Sequence, residues 1–160
     1  MDLHFGTVLV IGQNTVSIVE TFLNDEKRTL SLSVNGAVLG NIEILSHLFP
    51  SYCVTHNLVF MWAGTNVVSL NLSGRTMQAF KEEEEVSFIF VIETIVWVVR
   101  DASVVVRELR GYKELSAYDH DEVILESRLG AQGLLFSDLQ ERHFQARYLE
   151  DQVKIYVEAY

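Results

Sequence analysis

The stretch NLVFMWAGTNVVSLNLSGRTMQAFKEEEEVSFIFVIETIVWVVRDASVVVRELRGYKELSAYDHDEV, Asn57 to Val123, repeats itself. Displaced by 37 residues it matches without a gap. Leu58-Val59-Phe60 falls on Ile95-Val96-Trp97, Val67-Val68 on Val104-Val105, Leu72 on Leu109, Gly74 on Gly111 and Glu85-Val86 on Glu122-Val123. Gly64-Thr65, Ser73-Gly74, Glu93-Thr94, Asp101-Ala102 and Arg110-Gly111 cut the stretch into short runs rich in Val, Ile and aromatic residues. Such runs are too short for helices and read as β-strands joined by tight turns. One period holds four strands and one longer acidic connection.

A period of 20 to 50 residues signals a repeat architecture. Each unit here is a small antiparallel meander. Strands such as Val86–Ile92 and Ile95–Val99 are apolar on both sides, so neither face of the unit can be left in water. Such a unit buries its faces by packing a neighbour on each side. Radial packing of four-stranded meanders is a β-propeller. The expected fold class is therefore all-β, with about four repeated antiparallel four-stranded meanders in a propeller-like array. A two-sheet β-sandwich built from the same hairpins is the alternative.

Working outward, the C-terminal part keeps the strand rhythm in Gly133–Phe136, Arg142–Tyr148 and Val153–Val157. On the N-terminal side, Thr7–Ile11 and Thr15–Phe22 flank the turn residues Gly12-Gln13-Asn14. Thr29–Val34 alternates Leu with Ser, the period-two pattern of a half-buried strand. Asn35-Gly36 is a hairpin signal, because both residues tolerate positive φ. Ala37–Leu48 continues in β composition, with a short helical turn as an option near Leu45–Phe49, and Pro50 ends it. Aligning Val8-Leu9-Val10 with Leu58-Val59-Phe60 needs an offset of about fifty, which implies an insertion around Lys27–Leu39. Four units close on themselves, with the Asp2–Phe5 segment joining the last, or form an open arc that pairs with a second copy.

The period, and the segment Tyr118-Asp119-His120-Asp121-Glu122-Val123, resemble the WD40 type of propeller repeat. In that family a polar strand ends in a His-containing turn shortly before a Val that opens the next inner strand. The Trp-Asp pair of the family is absent: Asn71-Leu72 and Glu108-Leu109 stand in its place, and Glu83 stands where the next unit has His120. The resemblance implies a propeller-like arrangement of blades, and no function follows from it.

The 160 residues make one domain, residues 1–160, by the length prior. A net charge of -10 argues against nucleic acid or an anionic membrane surface as partner, since both require a basic footprint. It suits a basic protein partner. Cys53 is the single cysteine, so no intramolecular disulfide forms, and it reads as a buried thiol in a reducing compartment. The N-terminus lacks the pattern of a signal peptide, and no apolar run is long enough to span a bilayer. A cytoplasmic protein is expected.

Two acidic connectors carry the candidate binding residues: Glu82, Glu83, Glu84 and Glu85 in one unit, and Asp119, His120, Asp121 and Glu122 in the next. Their equivalent positions in the repeat place them on one face of a propeller. The bland reading is a solvated turn, with the Glu run guarding the aggregation-prone strand Val86–Ile92. The sharper reading is recognition of a basic partner by electrostatic steering. His4, His47, His56 and His143 lack the spacing of a metal site, and no phosphate-binding or nucleophile-elbow motif occurs. His56 reads as a partly buried imidazole. No cofactor, metal or catalytic residue is expected. Trp62 and Trp97 sit in core-like strands, and Tyr148, Tyr156 and Tyr160 with Phe144 are candidates for an interface. The leading function is protein–protein interaction, as an inhibitor- or immunity-type protein for a basic partner, with self-association through open edges. A small-molecule or glycan binder using exposed Trp62 or Trp97 is the alternative. A hydrolase using Asp119, His120 and Asp121 is the second alternative.

Overall fold

The computed structural model describes residues 4–158, apart from the side chains of residues 4, 5 and 22. Asp2 and Tyr160 lie outside the described residues. The chain folds as four four-stranded antiparallel sheets, each with its strands in chain order. The first sheet holds β1 (His4–Ile11), β2 (Asn14–Phe22), β3 (Lys27–Val34) and β4 (Ala37–Leu45). The second holds β5 (Ser51–Thr55), β6 (Leu58–Ala63), β7 (Asn66–Asn71) and β8 (Thr76–Lys81). The third holds β9 (Val86–Ile92), β10 (Ile95–Arg100), β11 (Ser103–Glu108) and β12 (Glu114–Asp119). The fourth holds β13 (Ile124–Leu129), β14 (Leu134–Asp138), β15 (His143–Leu149) and β16 (Gln152–Val157). The strands divide into four sheets and not into the two of a sandwich. The all-β, propeller-like reading describes them.

Two compact units divide the chain, Met1–Glu83 and Glu84–Tyr160. In the first, Val16, Ile18, Leu30, Leu32, Val34 and Ile44 of the first sheet pack on Val59, Met61, Ala63, Val68 and Leu70 of the second. In the second unit, Trp97, Val99, Val104 and Val106 of the third sheet pack on Ile124, Leu134, Phe136, Phe144 and Ala146 of the fourth. The central strands of the second and third sheets are buried on both faces: every residue from Val59 to Ala63 and from Val96 to Arg100 is buried. That is why these strands are apolar without alternation. The first and fourth sheets bury one face only, and β3 and β14 alternate accordingly.

Tight turns make the meanders. Asn35 takes φ 50° and Gly36 φ 84°, and the Asn35 side chain accepts the Thr15 amide at 2.9 Å. The 37-residue offset superposes β6 on β10 and β7 on β11 residue for residue. The N-terminal third departs from the expected alignment. By position in its sheet, β1 corresponds to β5, and β2 to β6. Lys27–Leu39 is no insertion but β3, the Asn35-Gly36 turn and the start of β4. The offset of about fifty arises because the apolar triplet of β1 matches that of β6, one strand out of step, a slip favoured by β1 and β2 being eight and nine residues long where β5 and β6 have five and six. His4 and Phe5 pair with Thr21 and Glu20 in the first sheet, not with the last unit. Leu45–Phe49 forms no helix: β4 runs to Leu45, and one turn follows in which the Leu48 amide donates to the Leu45 carbonyl at 3.1 Å. Among the described residues, no helix is long and apolar enough to cross a membrane.

Candidate functional site

In the second unit, connectors and turns are laced along one edge by backbone bonds. The Asp101 amide donates to Glu85 O at 3.2 Å, the Ile124 amide to Asp101 O at 2.7 Å and the His120 amide to Ala102 O at 2.8 Å. The Leu139 amide donates to Val123 O at 2.9 Å. The segment entering each sheet is thereby fastened to the turn between that sheet's second and third strands.

The side chains repeat this fastening with different chemistry in the two sheets. In the third, the Glu84 carboxylate accepts the Ala102 amide at 3.1 Å and the Ser103 hydroxyl at 2.8 Å, with the buried Arg100 guanidinium 3.5 Å away. In the fourth, His120 takes that role. Its Nε2 lies 2.9 Å from Asp138 Oδ2 and its Nδ1 lies 2.8 Å from the Tyr118 hydroxyl. An Nε2–H donor toward the carboxylate and an Nδ1 acceptor toward the phenol satisfy both ring nitrogens. The ring meets Phe136 and Phe144 edge-on, with centroids 5.3 and 4.8 Å apart.

Asp138 is the hub. Oδ1 accepts the amides of Gln140 and Arg142, each at 3.0 Å. Oδ2 accepts His120 and Arg142 Nε, the latter at 2.8 Å. Burial alone would raise its pKa, but the bonds from His120 and Arg142 outweigh that and hold it at about 2. Arg142 reaches on to Asp121 at 2.8 Å, and this bond lowers the Asp121 pKa.

His120, Asp121 and Asp138 bring three potential metal-ligand atoms within 4.8 Å of one another. Arg142 supplies the positive charge that such a cluster would otherwise take from an ion, and its guanidinium lies against both carboxylates. The Tyr118–His120–Asp138 alignment has the outline of a nucleophile–base–orienter chain. Its hydroxyl is the wrong one for that work: burial, and then Asp121, push the Tyr118 pKa up, whereas an activated nucleophile has a lowered pKa. The alignment positions groups; it does not activate one.

The eight connector residues separate into three kinds. Glu82 and His120 are buried and do not reach the surface. Glu84 and Asp121 are engaged by arginines, and Glu122 by the Val123 amide and the Gln140 side chain. Glu83, Glu85 and Asp119 are exposed. Asp138, Arg142 and Tyr118 were not among the sequence candidates. One signal was there to find: Asp101 displaced by the repeat period is Asp138. Elsewhere, Trp62 and Trp97 are buried in the core, as expected. His56 is exposed in the turn between β5 and β6, because its φ of 47° fits a tight hairpin and leaves the ring in solvent. Cys53 is half-buried, and burial raises its thiol pKa to about 11.

No protein-family model matches the sequence, and no curated protein matches it. Solved structures do. The WD40 domain of Toxoplasma gondii coronin superposes with a TM-score of 0.58 at 9% identity, over 88% of this chain and 43% of that one. The C-terminal WD40 domain of Sif2 gives 0.60 at 11% identity, over 91% of this chain and 56% of that one. The fold is thus of the WD40-like, propeller type. The chain spans about half the length of the WD40 structures it matches.

Proposed function

We propose that the chain is a protein-interaction module whose acidic connector edge receives a basic partner, in the manner of an inhibitor- or immunity-type protein. The observation that carries this reading is the charge left over along the laced edge of the second unit. Arg100 and Arg142 engage Glu84 and Asp121, while Glu85, Asp101 and Asp119 are exposed with no ion pair among the described residues. Same-sign charge on a turn edge steers an oppositely charged surface and sets the salt dependence of association.

The test is retention of basic proteins from the native host on the immobilised chain, at rising ionic strength. Glu85→Lys, Asp101→Lys and Asp119→Lys combined should abolish retention, and the exposed Glu26→Lys should leave it intact. A wild-type chain that retains no basic protein, or a triple variant that retains it equally, refutes the reading. The two alternatives have less support. Trp62 and Trp97 are 5% and 3% exposed, so neither offers a stacking platform to a glycan. Asp119 is exposed and lies outside the His120–Asp138 network, whereas His120 Nε2 lies 3.6 Å from Asp121 Oδ1, so the structure brings together two of the three residues of the hydrolase reading.

A further inference from the structure

The second unit has a cleft of about 290 Å³ between its two sheets. One wall is the turn between β9 and β10, with Ile92, Glu93 and Ile95. The other is the turn between β13 and β14, residues 130–133. Trp97 and Tyr148 complete the lining. β10 runs from this cleft to the Asp101 turn, so the laced edge lies at the other end of the unit. Glu93 is the one charged residue among the described residues that line the cleft. It is exposed and takes φ 54° in its tight turn. Burial, then the Asp151 and Glu108 carboxylates, raise the Tyr148 pKa, so the charges acting on that phenol are negative too. The cations of this end do not line the cleft. Lys154 is held by Glu150 at 2.9 Å, Arg107 lies over the Tyr112 ring, and Arg110 and Lys113 sit between β11 and β12.

We propose that this cleft receives a lysine side chain of a partner polypeptide, its alkyl stem along Ile92, Ile95 and Tyr148 and its ammonium at the Glu93 carboxylate. Lysine is an apolar stem that ends in a compact charge, and it suits a place where apolar walls meet one acceptor of opposite sign. An acidic ligand would meet Glu93 with like charge. A guanidinium would leave most of its five donors unmet at a single carboxylate. Size agrees. Pockets for drug-sized ligands hold about 300–1,000 Å³, and this cleft falls just below that range, room for one side chain. The lysine belongs to the basic partner of the acidic edge, so this contact rests on that reading and gives the partner a second hold at the far end of the same unit.

The experiment is a titration of the nitrogen-15-labelled chain with Nα-acetyl-lysine methylamide, followed by amide chemical shifts. It runs to about 50 mM, because one side chain in an open cleft binds in the millimolar range. The amides of Glu93, Thr94, Ala131 and Gln132 should shift, and those of Asp101 and Asp119 should not. The norleucine analogue has the same carbon stem without the ammonium and should bind about two- to fivefold more weakly. Glu93→Gln should weaken the lysine probe by a similar factor, with an unchanged far-ultraviolet spectrum because the side chain is exposed. No shift at the cleft overturns the proposal. So do norleucine or the Glu93→Gln chain binding as tightly as lysine and wild type, and so do equal shifts at Asp101 and Asp119, which mean a general attraction to carboxylates. The combined Glu85→Lys, Asp101→Lys and Asp119→Lys chain should bind the probe as wild type does. Host proteins retained with no probe binding sink this contact alone, whereas probe binding with no host protein retained sinks the acidic edge and the partner that supplies the lysine.

Discussion

Replacing Asp138 by Asn keeps the shape of the side chain and removes its charge. The carboxylate accepts four hydrogen bonds, two from backbone amides on Oδ1 and two from His120 and Arg142 on Oδ2. An amide oxygen can keep the backbone pair, but its NH2 then faces the two side-chain donors. His120 can adapt by moving its proton to Nδ1, since the Tyr118 hydroxyl can accept as well as donate. Arg142 cannot adapt, because a guanidinium has no acceptor. At least one charge-assisted bond is lost and a buried donor contact becomes repulsive, a cost of about 3 kcal/mol at neutral pH.

The pH dependence is the sharper test. Asp138 sits at about 2 in the fold, against about 3.9 in an unfolded chain. A depressed folded pKa gives stability that is fully present above about pH 4 and is lost as the pH falls toward 2. The full shift corresponds to about 2.5 kcal/mol. Solvent on the outer side of Arg142 screens this to about 1–2 kcal/mol. Urea denaturation of the wild-type and Asp138→Asn chains at pH 7, 4 and 2.5 should therefore show the gap between them narrowing, by about two-thirds of that amount at pH 2.5. A variant within about 0.5 kcal/mol of wild type at pH 7, or a gap that does not change with pH, refutes the assignment of Asp138 as the hub.

Three further outcomes are expected. Gly133→Ala should destabilise the chain by about 2–4 kcal/mol in urea denaturation, because φ is 155° there and an added Cβ would collide with the Ala146 carbonyl oxygen. Asn35→Ala should cost about 1–2 kcal/mol, through loss of the side-chain bond to the Thr15 amide and of tolerance for positive φ in the first-sheet hairpin. Cys53, its thiol held at about 11, should react with iodoacetamide at pH 8 at least about tenfold more slowly than a free thiol, and catch up on unfolding in urea.

The sheets were legible because both-face burial and tight turns are written locally. Val96–Val99 and Val104–Val106 are apolar throughout, and the Gly and Asp-Ala turns punctuate them. The first sheet was legible as strands but not in its alignment. A match of apolar triplets cannot tell one strand of a meander from the next, and long β1 and β2 moved the count by one strand. The cluster was least legible. His120 and Asp138 lie 18 residues apart, on a connector and in a turn of the following sheet. The resemblance to the WD40 type rests on the turn that holds His120 and carries nothing about the turn of the following sheet, where Asp138 sits. The third sheet fastens the equivalent places with Glu84, Ser103 and Arg100, so the role recurs while the residue types change. Sequence self-comparison registers residue types and passes over such a role.

Every sheet is a plain meander in which each strand pairs with its neighbour in sequence. For an all-β chain this keeps loop-closure distances short, since no strand waits for a partner from a remote segment. Each sheet can therefore nucleate from its own hairpins and grow by recruiting the next, in the nearest-neighbour manner of a one-dimensional array. Refolding should be quick for a β-protein of this size, and the fasteners at Glu84 and His120 should close after the hairpins they join.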